Sequence, residues 1–415
     1  MDVARKCRFC LAPLRQVFVD LGSMPLANSY LNSAALEKQE PLYPLVARVC
    51  ASCFLVQVDD VVPAETIFSD YAYFSSYSAA WVEHARRYAE TMCRRLQLNS
   101  HSKVVEIASN DGYLLQHFVA AGIPVLGVEP AGNTAAVARS KGIPTEAAFF
   151  GRRTAEDLAS RGHAADLIVA NNVLAHVPDI NDFVSAFKLL LRPQGIATFE
   201  FPHFLRLVEG VQFDTIYHEH FSYLSLLSAE RIFARHGLHV FDAESLPTHG
   251  GSLRLFVAHT EARRSEGPGL APVRRAEAAA GLERPEGYWG FQARVDAVRS
   301  NFLRFLDAMK RQGCEVAAYG AAAKGNTLLN YCGVKADRIA YVVDRNPHKQ
   351  GMYLPGSHLP IFPPDRIFDT RPDYVVILPW NLVDEIAGEM AAIGEWGGKF
   401  VTALPEIRIF KAAAA

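Results

Sequence analysis

Apolar and polar positions follow two alternating rhythms between residues 103 and 259. Short apolar runs, typical of buried strands, are separated by segments with apolar residues every three or four positions, typical of amphipathic helices. The strand-like runs are KVVEI, PVLGVE, DLIVA and IATFEF, and the helix-like segments are GYLLQHFVAAG, NTAAVARSKG and INDFVSAFKLLLRPQG. This alternation predicts a parallel sheet with crossover helices. The runs LHVFDAESL and SLRLFVA, which follow closely, predict an antiparallel pair at its edge.

The alternation starts again after a long helical pattern, YWGFQARVDAVRSNFLRFLDAMKRQG. Strand EVAAYG, helix AAAKGNTLLNYCG, strands IAYVVD and YVVILP, helix LVDEIAGEMAAIGEW and strand FVTALP follow in that order. We predict a second doubly wound α/β unit from this order. The segment between the two units is rich in Gly, Pro and mixed charge, which indicates a linker or an exposed crossing segment.

These patterns divide the chain into four parts. We predict a small module over residues 1–70, an α/β domain over 71–260, a linker over 261–286 and a second α/β domain over 287–415. A chain of 415 residues, of which half are hydrophobic, is long enough to build two or three cores.

Charge and hydropathy limit the classes of binding partner that the sequence favours. The net charge of -2 argues against a nucleic-acid-binding surface as the main activity. No apolar run reaches the length of a membrane span, and the first residues lack a secretory signal. We expect a cytoplasmic protein with neither a nucleic-acid nor a membrane partner, and the oligomeric state stays open.

Four of the seven cysteines form two Cys-x-x-Cys pairs: Cys7, Cys10, Cys50 and Cys53. In a reducing compartment this spacing favours a metal over disulfides. Four thiolates complete a tetrahedral shell without an open position, which suits structural Zn²⁺. The sequence therefore predicts zinc that folds the amino-terminal module.

Polar residues follow three successive predicted strands. The turn in VVEIASNDGYLLQHF carries Glu106, Ser109, Asn110, Asp111 and Gly112. It lacks G-x-G-x-x-G, which argues against a pyrophosphate cradle, whereas acidic and amide groups suit a ligand with a cationic amino-acid portion. Glu129 ends the next strand, where a carboxylate can accept hydrogen bonds from both ribose hydroxyls. Asn171, Asn172 and His176 follow the third strand, so the three strand ends converge on one crevice unless these are ordinary polar loops.

The segment TIYHEHFSYLS places Tyr217, His218, Glu219 and His220 in a row. It is either a proton-handling centre or a polar turn between two elements. In a strand, Tyr217 and Glu219 would face away from His218 and His220, whereas a turn relaxes this constraint.

Two further segments suit a phosphate or a sugar. HGGSLRLF combines two glycines with Ser252 and Arg254, although a hairpin turn explains the glycines equally well. In YGAAAKGNTLLNY, small residues precede a helix amino terminus that carries Lys324, Asn326 and Thr327, a site suited to a diphosphate. Asp344 closes the next strand, where it can meet a nucleoside.

The turn, strand-end and crevice residues resemble class I S-adenosylmethionine-dependent methyltransferases, although Ala108 stands where many members have Gly. The paired cysteines, SNDGYLL, YHEHFSYLS, HGGSLR and YGAAAKGNTLLN together resemble the sugar C-methyltransferases over nearly the whole chain. The resemblance implies a Rossmann-like class I methyltransferase domain, a small zinc module before it and a second Rossmann-like α/β domain after it. It also implies S-adenosylmethionine as cofactor and a nucleotide-diphosphate 4-keto-6-deoxy sugar, methylated at carbon 3, as substrate.

Methylation at carbon requires a base, because a C–H bond is not a nucleophile until its proton is removed. The resemblance implies that His220 is this base, with Glu219 orienting or polarising it and with Tyr217 and His176 near the reacting sugar. It further places Tyr71 near the methyl group of the cofactor.

Two alternatives compete with a methyltransferase. The second α/β unit suits a nicotinamide-dependent keto-sugar reductase, against which the missing G-x-G-x-x-G argues. The zinc module also suits a non-catalytic, ligand-binding adaptor, in which the histidine cluster would be idle. The sequence leaves open the nucleotide base, the sugar and the stereochemistry at carbon 3.

Overall fold

Three β-sheets organise residues 5–63 and 74–411, the part of the chain that the computed structural model describes. In chain order they are a four-stranded antiparallel sheet, a seven-stranded mixed sheet and a six-stranded, mostly parallel sheet. Strands and helices alternate along the parts of the chain that form the second and third sheets. This confirms the predicted α/β class with two doubly wound units.

The amino-terminal sheet is completed by a strand from far along the chain. Its strands, numbered along the sequence, are β1 (Gln16–Met24), β2 (Tyr43–Val49), β3 (Val56–Val58) and, at its edge, β9 (Ser222–Tyr223). In the pairing of β3 with β9, Val56 lies opposite Tyr223 and Gln57 lies opposite Ser222. The sheet of the predicted zinc module therefore takes one strand from the residues directly after the Tyr217–His220 cluster.

The seven-stranded sheet places the predicted strands side by side. Its order is β10 (Leu238–Leu246), β11 (Ser252–His259), β8 (Leu191–Pro202), β7 (Ala165–Asn171), β4 (Val104–Ile107), β5 (Val125–Val128) and β6 (Thr145–Glu146). From β8 to β6 the neighbours are parallel, while β11 is antiparallel to both β8 and β10. The predicted antiparallel pair is confirmed, and the carboxyl ends of β4, β5 and β7 meet at one edge.

The third sheet repeats this arrangement near the carboxyl terminus. Its order is β14 (Ile361–Phe362), β13 (Val342–Val343), β12 (Val316–Tyr319), β15 (Tyr374–Ile377), β16 (Lys399–Thr402) and β17 (Arg408–Phe410). All neighbours are parallel except β16 and β17.

Helices connect and cover the sheets. They are α1 (Ala79–Leu96), α2 (Leu115–Ala120), α3 (Gly132–Ser140), α4 (Arg152–Ser160), α5 (Ile180–Leu190), α6 (Phe204–Glu209), α7 (Leu226–Arg235), α8 (Leu270–Ala279), α9 (Phe291–Arg311), α10 (Ala323–Cys332), α11 (Arg366–Thr370) and α12 (Val383–Glu389). Side-chain caps fix several starts: Ser78 accepts from the Trp81 amide, and Asp179 accepts from the first amides of α5. None of the described helices is both long enough and apolar enough to cross a bilayer.

One hydrophobic core joins the three parts of the chain. Phe18 of β1 stacks on Phe291 of α9, with ring centroids 4.4 Å apart, and Phe204 of α6 packs against Phe18 at 5.3 Å. All three side chains are buried. Because each buried phenylalanine contributes about 1.5–3 kcal/mol, this core holds the first sheet against both α/β units.

The segment 261–286, predicted as a linker or crossing segment, contains the packed helix α8. Leu270 and Val273 are buried, and so is the carboxylate of Glu277. Glu277 accepts hydrogen bonds from the backbone amides of Leu226 and Leu227, at 2.6 and 2.9 Å. These amides stand at the start of α7, where they have no partner within the helix. It also lies 2.7 Å from Nε2 of His203.

We expect Glu277→Gln to destabilise the protein by about 2–3 kcal/mol, because a neutral amide replaces a carboxylate that serves three buried partners. Urea unfolding followed by circular dichroism measures the change. Glu286→Gln, at an exposed position just after α8, is the matched control. Equal unfolding midpoints for the two variants would contradict the role assigned to Glu277.

Candidate active site and metal centre

The four paired cysteines converge into one cluster. Their sulfur atoms all lie within 4.8 Å of one another, with 3.6 Å between Cys7 and Cys53 and 3.4 Å between Cys10 and Cys50. Four sulfurs around Zn²⁺ at about 2.3 Å stand about 3.8 Å apart, so the cluster fits a closed tetrahedral site. The two loops match each other: the residue after each pair, Leu11 or Phe54, has a φ of 63°.

The predicted cofactor turn connects β4 to α2. Ala108, Asn110 and Gly112 have φ values of 56°, 50° and 79°, so the chain reverses sharply at the sheet edge. Ala108 adopts the left-handed conformation although it carries a Cβ. Glycine would adopt this conformation at a lower free-energy cost. Gly112 is required by packing as well, since a Cβ there would lie 2.3 Å from Cδ1 of Ile143.

Glu129, at the end of β5, holds this turn through both carboxylate oxygens. Oε2 accepts from the Asn110 amide at 2.8 Å, and Oε1 accepts from the Ala131 amide at 2.9 Å. Burial raises the pKa of Glu129, and the two amides oppose this rise. Each oxygen keeps a further lone pair, so the carboxylate can still accept from ribose hydroxyls as predicted.

The remaining turn residues differ in surroundings. Burial, followed by the charges of Glu129 and Asp111, raises the pKa of Glu106 well above its ordinary value. Asp111 forms an ion pair with Lys141, whose Nζ lies 3.1 Å from its Oδ2. It also accepts a hydrogen bond from the Ser76 hydroxyl. The hydroxyl of Ser109 is fully buried beside Gly127.

At the end of β7, the side chain of Asn172 lies beside His249, a histidine that was not among the residues predicted from the sequence. The backbone amide of Asn172, which has a φ of 53°, donates to the Glu200 carbonyl at 2.7 Å. Its side-chain amide lies 3.4 Å from Nε2 of His249. Asn171 is buried, and its Oδ1 has no hydrogen-bond partner among the described residues.

The Tyr217–His220 cluster is a turn, with the His220 amide donating to the Tyr217 carbonyl at 3.0 Å. Nδ1–H of His220 donates to the Thr215 carbonyl at 2.9 Å, which leaves Nε2 as an acceptor. The Tyr217 hydroxyl donates to this Nε2 at 2.8 Å. Burial lowers the pKa of His220 well below its usual value, so the imidazole is neutral with its lone pair on Nε2.

His176 lies against His220, with ring centroids 4.6 Å apart. Its Nδ1–H donates to the backbone carbonyl of Glu219 at 2.9 Å. Burial lowers the pKa of His176 to about 4. Two neutral imidazoles therefore lie edge to face against each other.

The carboxylate of Glu219 does not contact His220, contrary to the expectation that it orients this imidazole. Its Oε1 accepts from Nδ2 of Asn28 at 2.7 Å, and burial raises its pKa to about 7. The Thr215 carbonyl orients His220 instead. Tyr71, expected near the cofactor methyl, lies outside the described residues.

Arg254, predicted to bind phosphate or sugar, is already neutralised. It is 5% exposed, donates to Glu200 at 2.7 Å and to Glu244 at 3.1 Å, and lies over the Tyr88 ring. With two carboxylates on one guanidinium, no charge is left for a ligand. The Ser252 hydroxyl is also internal, since it donates to the Thr248 carbonyl at 3.0 Å.

The predicted diphosphate residues of α10 have separate surroundings. Thr327 is fully buried and its hydroxyl lies 3.3 Å from the Ile216 carbonyl, so it joins the two units and does not reach a ligand. Asn326 is buried, with Oδ1 accepting from Asn330 at 3.2 Å. Lys324 donates to Oδ1 of Asn381 at 2.9 Å. Asp344 accepts from the amides of Ala321 and Asn346, both at 2.8 Å.

Several residues near the site were not among those predicted from the sequence. They are Asn28, Tyr30, Asp214, His249 and Trp380. Asn28 and Tyr30 sit in PLANSY, and Trp380 in LPWNL, stretches without a chemical motif. Only the histidine beside the two glycines of HGGSLR could have been found by its motif.

We expect Glu129→Ala to weaken S-adenosylmethionine binding by about 10- to 100-fold, because the ribose loses charged acceptors and the turn loses two anchors. Isothermal titration calorimetry measures the dissociation constant. Glu156→Gln, on the exposed face of α4, is the control. Unchanged affinity in a folded Glu129→Ala variant would remove Glu129 from the cofactor site.

Comparison with known proteins identifies the family of this chain. Three family models match in order: a zinc binding domain over residues 7–68, a methyltransferase domain over 81–243 and a C-methyltransferase C-terminal domain over 247–405. C-methyltransferase NovU of Streptomyces niveus is 35% identical over 414 residues, which cover 99% of both chains.

More distant proteins match only part of the chain. A ubiquinone biosynthesis O-methyltransferase of Bartonella bacilliformis is 32% identical over 23% of this chain and 38% of its own. Magnesium protoporphyrin IX methyltransferase of Synechocystis, solved with bound S-adenosylmethionine, is 13% identical with a TM-score of 0.35, covering 48% of this chain and 99% of its own. With a relative this similar along its whole length, the chain belongs to the S-adenosylmethionine-dependent C-methyltransferases, with a zinc-binding amino-terminal domain.

Proposed function

We propose that the enzyme transfers a methyl group to carbon 3 of a nucleotide-linked 4-keto-6-deoxy sugar, in deoxysugar biosynthesis. The observation that carries this proposal is a carboxylate geometry shared by its two α/β units. In each unit an acidic residue directly follows the second strand: Glu129 follows β5 and Asp344 follows β13. One site serves the nucleoside of the cofactor, which leaves the other for the nucleoside of a substrate.

The two carboxylates make equivalent hydrogen bonds. Glu129 accepts from the turn after β4 and from the residue two positions further on, Ala131. Asp344 likewise accepts from Ala321, in the turn after β12, and from Asn346, two positions further on. The side chain of Asp344 remains 14% exposed, with Nζ of Lys349 3.6 Å from its Oδ2, so the carboxylate is not closed off from solvent.

A short polar path connects the Asp344 turn to the histidine turn. The Tyr30 hydroxyl donates to the Ala321 carbonyl at 2.7 Å and lies 3.3 Å from Oδ1 of Asn28. Asn28 in turn donates to Glu219. This path favours one substrate whose nucleoside lies at Asp344 and whose sugar reaches His220.

The chemistry then follows from the histidine turn. The carbon 3–hydrogen bond of the ketone breaks and the proton moves to Nε2 of His220. The electron pair of that bond forms a double bond between carbons 3 and 4, and the carbonyl π electrons move to the oxygen. Tyr217 leaves Nε2 and donates to this oxygen, while His176 lies beside the sugar. S-adenosylmethionine, when bound, would supply the electrophilic methyl group for carbon 3, with its methyl–sulfur bond broken and S-adenosylhomocysteine as the leaving group.

Incubation with labelled S-adenosylmethionine and a panel of 4-keto-6-deoxy sugar nucleotides tests the proposal. We expect labelled product and, in deuterated water, exchange of the hydrogen at carbon 3. A panel without any labelled sugar would refute the substrate class. Turnover without exchange would count against a freely exchanging enolate.

A further inference from the structure

Lys324, in the second α/β unit, acts electrostatically on three groups of the first unit, which are Asp214, His220 and His249. Its ammonium group donates to Oδ1 of Asn381 and lies 4.8 Å from the centroid of the Trp380 ring. Burial lowers the pKa of Lys324 to about 8, and the charge of Asp214 opposes this fall, so the side chain stays protonated at pH 7. A cation is therefore held at the boundary between the two α/β units.

Trp380 connects the Lys324 ammonium group to the methyltransferase domain. Its indole N–H donates to Oδ2 of Asp214 at 2.7 Å. Its ring packs on Gly250, where φ is 85° and a Cβ would lie 2.3 Å from the indole. Asp214 is fully buried, and its Oδ1 has no hydrogen-bond partner among the described residues.

This arrangement lies beside the base. Asp214 directly precedes Thr215, whose carbonyl holds His220. Thr327, one helical turn after Lys324, lies 3.3 Å from the carbonyl of the next residue, Ile216. Burial lowers the pKa values of both His220 and His249, and the charge of Lys324 contributes to each fall.

We propose that Lys324 is the cation that stabilises the enolate oxygen at carbon 4, and that Trp380 and Asp214 hold it in position. This inference rests on the proposed function and replaces the assignment of Lys324 to the diphosphate. When the proton leaves carbon 3 for His220, the negative charge forms on the carbonyl oxygen. The Lys324 charge is placed before the reaction, so it stabilises this oxygen without rearrangement.

The test separates two roles of Lys324. We expect Lys324→Met to lower both kcat and the rate of deuterium exchange at carbon 3 by about 10²- to 10³-fold. Affinity for free nucleoside diphosphates, tested with the thymidine, uridine, guanosine and cytidine forms by calorimetry, should not change. Lys310→Met, which removes an exposed lysine of α9, is the control.

The opposite pattern would overturn the inference: normal exchange with weakened nucleoside diphosphate binding, or an equal loss of both. If Lys324→Met does not fold, Asn381→Ala replaces it, because it removes only an acceptor of the ammonium group. It should lower exchange by about 2- to 10-fold, and unchanged exchange would overturn the inference. A wild-type enzyme without methyl transfer to any keto sugar would instead refute the proposed function itself.

Discussion

Replacing His220 by asparagine is expected to lower turnover by about 10²- to 10⁴-fold, because asparagine cannot take the proton that leaves carbon 3. The neutral imidazole, with its Nδ1–H fixed by Thr215, presents a lone pair at Nε2 that no other nearby group replaces in the same position. Methyl transfer under saturating substrate measures the loss. Calorimetric binding of S-adenosylmethionine should be retained, since the cofactor turn lies on other elements.

His218→Asn is the matched control, because this residue belongs to the same turn and its ring packs edge-on against Tyr43. Its methyl transfer should stay near that of the wild type. Deuterium exchange at carbon 3 should disappear in His220→Asn alone. Full methyl transfer by that variant would rule out His220 as the base.

The second large effect is expected from the metal centre. Cys50→Ser removes one of four thiolates, and a structural zinc site contributes about 10–16 kcal/mol to the folding of small zinc peptides. We expect the variant to lose its zinc and to unfold at a much lower temperature. Methyl transfer should fall with it, because Asn28, which holds Glu219, belongs to the same module.

Elemental analysis and thermal unfolding monitored by circular dichroism measure these changes. Cys314→Ser is the control, since Cys314 lies far along the chain and outside the cluster. A Cys50→Ser protein with full zinc content and wild-type stability would contradict a structural role for the metal.

Much of the fold follows from local patterns. The strands and helices of both α/β units were predictable because periodicity marks buried faces, and parallel strands bring their carboxyl ends to one edge. This logic also places Glu129, Asn171 and Asn172 around one crevice. The cysteine cluster follows from spacing alone, since each close pair can supply two thiolates to one ion.

Long-range pairings could not be predicted in the same way. Arg254 suggests a phosphate ligand until Glu200, 54 positions earlier, is found against its guanidinium. The contact of Glu219 with Asn28 spans 191 positions. Helix α8 was missed because its Gly-, Pro- and charge-rich surroundings hide the few apolar residues, Leu270 and Val273, that anchor it. In each case the partner, and not the local sequence, decides what the residue does.

The strand β9 constrains how such enzymes can be recombined. Its two residues are hydrogen-bonded into the amino-terminal sheet, yet they directly follow the histidine turn. A chimera that exchanges only the first seventy positions with a relative would mismatch this edge and displace the histidine turn with it. Exchange of substrate preference between relatives therefore requires both pieces to be transplanted together.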